Sequence, residues 1–311
     1  MLELSELVEA CHRIGRLTPI WTQGQGGNVS VKSGNVLMIK ASGARLPQVS
    51  QSSGWATLPL DRFHMAVQNL DPGRQGSEEK YAEYLKEMSG RGRATLESGF
   101  HALLPARIVV HFHSMAAIFM AHAHSNNENA FKEFYKRESP FAISIYEPLL
   151  PGLKLSRAIG DNPHIQAHIL QNHGVILQLK TVRDLDVWMA FERKFCQSFG
   201  FRGLDAFYKL PNPSEMLRQA ERLMEPTREG IPSYMPDSII FSDRIQHIVR
   251  WKVENPTKTY CADAWQVFRD ETELLLAGQL MARFCPSLRL FPRELEAQLR
   301  AMPSEKLRTG G

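Results

Sequence analysis

GQGGNVSVKSGNVLMIKASG, from Gly24 to Gly43, sets five glycines around two alternating runs and ends in a Lys-Ala-Ser-Gly turn. Such bare backbone could cradle a dinucleotide, which needs G-x-G-x-x-G between a strand and a helix. Gly24 and Gly26 fit that spacing, but Val29 stands where the third glycine belongs. The residues after Asn28 also alternate with a period of two, which predicts a β-hairpin turning at Ser33-Gly34-Asn35 in place of a helix. The dinucleotide reading fails on both counts. Two readings stay open, a loop for some other phosphate and plain turn chemistry.

Outward from the hairpin, helical periodicity predicts a helix over about residues 3–15, with Leu4, Leu7, Val8, Cys11 and Ile14 on one face. SQSSGWATLPLDRF reads as a polar turn entering a short strand, and SEEKYAEYLKEMS as a helix ending at Gly90. Arg91-Gly92-Arg93 reads as a solvated loop. Strands are expected at RIVVHFH, FAISIY and GVILQLK, with a helix at SMAAIFMAHA and helical pieces in LSRAIGDNPHIQAHIL. VRDLDVWMAFERKFCQSFGF carries an apolar stripe of Leu185, Trp188, Phe191, Phe195 and Phe199, a core-facing helix. Past Leu210 a run rich in proline and polar residues marks a boundary. It separates residues 1–210 from a helix-rich extension, 211–311, for which short strands at SIIFS and IVRWKVE and helices near 265–285 and 292–301 are expected.

The 311 residues are 43% hydrophobic and 23% charged, ordinary values for a globular chain. With 37 Lys and Arg against 33 Asp and Glu, and no basic tract interleaved with aromatics, nucleic acid is not an expected partner. No apolar run reaches membrane-spanning length, and the acidic, helical N-terminus does not read as a secretory signal, so no membrane partner and a cytoplasmic location are expected. Four cysteines stand far apart without a C-x-x-C pair, which gives neither a zinc ribbon nor a disulfide framework.

The chemistry gathers in histidines. His111 and His113 close the strand RIVVHFH, and residues two apart on a strand share a face. His173, in LQNHGVILQ, sits in a turn before the next strand. Three neutral imidazoles with one vacant position suit a catalytic zinc, since a structural site closes its fourth position with protein; three ordinary half-buried histidines are the alternative. His122 and His124 repeat the H-x-H spacing, but on a helix two such residues point about 200° apart and cannot easily share an ion. His101 reads as a residue that packs or hydrogen-bonds behind a ligand. Glu97 is open to three roles: ligand, general base or surface carboxylate.

As a set, GQGGNVSVK, IKASG, ESGFHALLP, VVHFHS and NHGVI resemble the class II aldolase/adducin family, in order and rough spacing, over about residues 5–205. TLESGFHALLP is most similar to the rhamnulose-phosphate aldolase domain of bifunctional chains. The resemblance implies an α/β/α three-layer sandwich with a largely antiparallel central sheet, commonly a tetramer with active sites between subunits. It implies Zn²⁺ on His111, His113 and His173, with Glu97 as the catalytic acid/base. Gly27, Asn28, Ser42 and Gly43 fall on the family's phosphate loops and Thr95 on a phosphate-contacting hydroxyl, while Leu96 replaces a second hydroxyl found in some aldolases. Tyrosines donated by a neighbouring subunit cannot be matched; Tyr135, Tyr146 and Tyr234 are candidates. The implied reaction is cleavage of a phosphorylated ketose between C3 and C4 into dihydroxyacetone phosphate and an aldehyde, with Glu97 protonating the enediolate at C3. A sugar-phosphate epimerase or dehydratase using the same site is the alternative. A non-catalytic adducin-like module is a third reading, disfavoured because such relatives lack the histidines kept here. YMPDSIIF is similar to the end of the bifunctional type and receives no function.

Overall fold

A computed structural model describes residues 2–223, 234–255 and 257–302. Chain order runs α1 (Leu2–Gly15), β1 (Asn28–Ser33), β2 (Val36–Lys40), β3 (Trp55–Pro59), α2 (Leu60–Gln68), α3 (Ser77–Met88), α4 (Ser98–Leu103) and β4 (Ile108–Phe112). It continues through α5 (Met115–Asn126), α6 (Glu128–Glu138), β5 (Ile143–Tyr146), α7 (Leu153–Gly160), β6 (Ala167–Leu170), β7 (Gly174–Leu179) and α8 (Asp184–Ser198). The remainder is helical: α9 (Arg202–Phe207), α10 (Pro213–Leu223), α11 (Pro236–Ile240), α12 (Ser242–Glu254), the short α13 (Trp265–Val267), α14 (Arg269–Phe284) and α15 (Arg293–Ala301).

Among the described residues, seven strands form one sheet in the order β3-β2-β1-β4-β7-β6-β5, antiparallel throughout except where β5 pairs parallel to β6. The expected hairpin is β1 and β2, with Ser33 opposite Val36 at its turn. Alternation along the strands decides the layers. Val29 and Val31, then Ile108, Val110 and Phe112, then Val175 and Leu177 join one core cluster with residues of α1, α5 and α8. The intervening Val109 and Ile176 join another with Phe100 of α4 and Leu155 and Ile159 of α7. Helices therefore cover both faces, and the sheet is the middle of three layers.

Three expectations are corrected. SIIFS and IVRWKVE are helical, in α11 and α12, with Pro236 in the first turn of α11. The reason is periodicity: Ile245 and Ile248 fall one turn apart and are both buried, so tertiary packing overrides the β-branched composition. The end of LSRAIGDNPHIQAHIL is not helix but strand β6, whose Ala167–Leu170 pairs with both β5 and β7. A strand of four residues buried on both faces shows no alternation for sequence to read. The apolar core runs on into the C-terminal helices, since Leu274, Leu276, Leu280 and Met281 of α14 belong to the same cluster as α1, α5 and α8.

Candidate functional site

The middle of the sheet places the histidines. His111 lies opposite Asn28 across β1 and opposite Ile176 across β7. Two residues on, His113 follows the end of β4, while His173 fills the turn that joins β6 to β7. The three imidazoles come together: one ligand atom from each lies within 4.8 Å of the other two, and the ring centroids are 4.7 to 5.1 Å apart. All three are buried. Among the described residues no other group of three His, Cys, Asp or Glu meets this geometry.

Glu97, just ahead of α4, faces the cluster. Its Oε1 lies 3.6 Å from His111 Nε2 and 3.5 Å from His173 Nε2. Its Oε2 accepts a 2.7 Å hydrogen bond from Asn28 Nδ2. Behind Asn28 the chain of bonds has one direction. Asn28 Oδ1 can only accept, so His101 Nε2 donates to it, and His101 Nδ1 must then accept the proton of Ser30 Oγ at 2.7 Å. Burial pushes His101 well below its ordinary value and keeps it neutral, as that sequence of donors requires. His101 thus holds the residue that holds Glu97. The resemblance implies a phosphate contact for Asn28; its side chain bonds Glu97 and His101, and the residue also lines the cavity described below.

The donor set fits a divalent cation. His111 Nδ1 donates to Val175 O at 3.0 Å, which leaves Nε2 as a bare lone pair. That Nε2 and Glu97 Oε1 are buried with no hydrogen-bond partner in the protein. An unsatisfied buried polar group costs about 1–3 kcal/mol, a cost a bound cation would relieve. Burial also lowers His173 to about 3, so its ring is neutral and able to ligate. For Glu97, burial works upward, but the facing imidazoles of His111, His173 and His113 and the Asn28 amide outweigh it and hold the carboxyl down at about 2. It stands ready as an anion.

A cavity of about 710 Å³ opens onto this cluster. Gly27, Asn28, Ser42, Gly43, Thr95 and Glu97 all line it, beside His113 and His173. Arg93, from the loop read as merely solvated, also lines it and donates to Ser42 Oγ at 3.0 Å. Lys40 ties the two glycine loops together, donating to Gln25 O at 2.9 Å and Ala44 O at 2.8 Å. The lysine was visible in IKASG as a strand residue, but its role rests on two carbonyls that only the fold brings near. Tyr135, Tyr146 and Tyr234 do not line the cavity within one chain; Tyr146 OH instead meets His168 Nδ1 at 3.0 Å. His122 meets Ser287 and Asn126, and His124 lies 3.8 Å from Glu128, so the two rings turn to different partners. One acidic group escaped sequence reasoning: Asp237 of α11, whose Oδ2 lies 3.7 Å from His113 Nδ1.

The model of the class II aldolase and adducin N-terminal domain matches residues 5–197, well over half of the chain. The chain belongs to the class II aldolase and adducin family. Among solved structures it is similar to the N-terminal class II aldolase domain of a conserved protein from Thermoplasma acidophilum, at 21% identity and a TM-score of 0.50 over 64% of this chain and 93% of that one. It is also similar to a sugar-phosphate aldolase from Thermotoga maritima, at 16% identity and a TM-score of 0.46 over 65% of this chain and 96% of that one. The l-fuculose-1-phosphate aldolase of Thermus thermophilus matches at 16% identity and a TM-score of 0.42, over 64% of this chain and 96% of that one. No curated protein matches. At 21% identity, the likeness to the Thermoplasma acidophilum domain is one of fold alone.

Proposed function

We propose that this family member is a zinc-dependent aldehyde-lyase that cleaves a phosphorylated ketose into dihydroxyacetone phosphate and an aldehyde. The observation that carries this reading is Glu97: one carboxylate oxygen is anchored by Asn28 and the other, unpartnered, faces two imidazoles of a buried triad. His111, His113 and His173 would hold the ion, and three nitrogen ligands with room for a fourth suit zinc. When bound, the cation would polarise a ketose carbonyl and lower the cost of negative charge on its oxygen. Glu97, held ionised at the same spot, moves the proton on the adjacent carbon. Gly27, Ser42, Gly43 and Thr95, with Arg93 beside them, offer backbone N–H, hydroxyl and guanidinium donors for the substrate phosphate. Residues 1–210 then form the catalytic domain.

The test is a panel of ketose phosphates with the unphosphorylated sugars alongside, coupled to glycerol-phosphate dehydrogenase. Release of a three-carbon phosphate, lost in Glu97→Gln, supports the proposal. An epimer or a dehydrated sugar with no three-carbon product would replace it with the epimerase or dehydratase reading. Protein purified without added zinc that carries almost no transition metal, unchanged by His173→Ala, would point to an interaction module.

A further inference from the structure

The C-terminal helices lie outside the residues matched to the family, yet they reach the centre of the site. Asp237 opens α11 and is buried against His113, with 3.7 Å between its Oδ2 and His113 Nδ1. That gap is about 0.5 Å beyond the N–H···O range, which a small rotation of either group would close. Gly26 makes the approach possible. A Cβ built on it would lie 2.7 Å from His113 Cε1, 2.8 Å from Nδ1 and 2.9 Å from Asp237 Oδ2, so any side chain there would occupy the space the pair shares. The same loop is held from behind by α14: Glu273 accepts from Gly24 N at 2.8 Å and from Arg45 Nη2, and Asp270 pairs with Arg45 and with Gln25. On the other side, Asn172, next to His173, donates to Arg289 O at 2.7 Å.

We propose that Asp237 is a positioning residue of the metal centre, a carboxylate delivered by the C-terminal helices that orients His113. The arrangement repeats that of His111, whose Nδ1 is taken by Val175 O. With Nδ1–H of His113 directed at Asp237, its Nε2 is left as the lone pair, and a carboxylate partner also raises the basicity of the ring. Helices α11 and α14 then support the centre that residues 1–210 build. This rests on the metal-dependent reading above, and the experiment separates the two.

Cobalt(II) is titrated into metal-free full-length protein and followed by its visible absorption bands, for wild type, Asp237→Ala and Asp237→Asn. Loss of an outer partner of a metal-bound histidine lowers affinity roughly 10–100-fold. We expect a loss in that range for Asp237→Ala with altered bands, and a smaller loss for Asp237→Asn, which keeps an oxygen but not the charge. Wild-type affinity and spectrum in both variants overturn the proposal. If Asp237→Ala does not fold, Asp237→Asn decides on the same titration: a weaker affinity or shifted bands support the role, and wild-type binding refutes it. Wild-type protein that takes up no cobalt refutes the metal reading itself and this role with it.

Discussion

Replacing Gly174 by alanine perturbs the fold and the site at one atom. Gly174 follows His173 at the start of β7 and has φ +131°, a conformation L side chains rarely adopt. An ideal Cβ there would lie 2.8 Å from His113 Cα and 3.0 Å from Phe112 C, with Phe112 O closer still, whereas ordinary van der Waals contact begins at 3.4 Å. All of these atoms are backbone, and β4 and β7 are pinned by five register pairs from Ile108–Leu179 to Phe112–Val175. The strand ends must separate by roughly half an ångström or more. Backbone strain of this kind costs about 1–3 kcal/mol and overpacking about 1–3 kcal/mol more. The variant should therefore lose about 2–6 kcal/mol, a large share of a typical 5–15 kcal/mol. Metal binding should fall further than stability, because the displaced atoms carry His113 and His173, and ligand distances tolerate only about 0.2 Å. Guanidinium unfolding measures the first effect and zinc titration of the folded variant the second. A Gly174→Ala protein within about 1 kcal/mol of wild type, binding zinc equally well, would show that β4 and β7 do not set the triad as described.

Asn28→Ala removes a hydrogen bond to a charged group worth about 1.5–3 kcal/mol; kcat on a cleaved ketose phosphate should fall roughly 10–150-fold with KM little changed, whereas a raised KM at constant kcat would assign Asn28 to the phosphate. Removing metal with a chelator should lower the melting temperature, and zinc at 100 times its Kd should restore about 2.7 kcal/mol, an effect absent in His173→Ala and readable by scanning calorimetry. Burial lifts Glu192 to about 7, against the donors Ser114, Tyr208, Trp21 and Trp188 that favour its anion. The folded protein then keeps a proton that the unfolded chain releases above its ordinary carboxylate value. The stability difference between wild type and Glu192→Gln should thus fall by about 3 kcal/mol from pH 4.5 to 7 and level off above, and a flat difference in denaturant unfolding across that window would refute the assignment.

What could be read from the sequence was whatever sits within a few residues of its partner. The period of two in RIVVHFH puts both imidazoles on one side, and the glycine-rich hairpin announces its own turn; both are local facts, and both hold in the fold. The Ser30–His101–Asn28–Glu97 relay could not be read, because its members are separated by about seventy residues and meet only through the pairing of β1 with β4 and the docking of α4. Asp237 was hidden twice over. Its partner is more than a hundred residues away, and the Ile-Ile-Phe that follows it has the composition of a strand, so the helix that aims it went unseen. Strand β6 was missed for the opposite reason, being too short and too evenly buried to carry a pattern.

The rule that builds the core also builds the site. Ile108, Val110 and Phe112 are drawn to the side of β4 where α1, α5 and α8 supply apolar partners, and alternation then sends His111 to the other side, against Glu97 and Phe100. A slip of one residue would bury the imidazole among Trp21, Met115 and Phe119 and turn Phe112 toward the cavity, exchanging several kcal/mol of apolar burial for an unpaired polar group. Register is therefore enforced by the hydrophobic face, and the histidines inherit their aim from it. Asn28 is set by the same register from β1, opposite His111, so the carboxylate it anchors arrives on the same side as the rings.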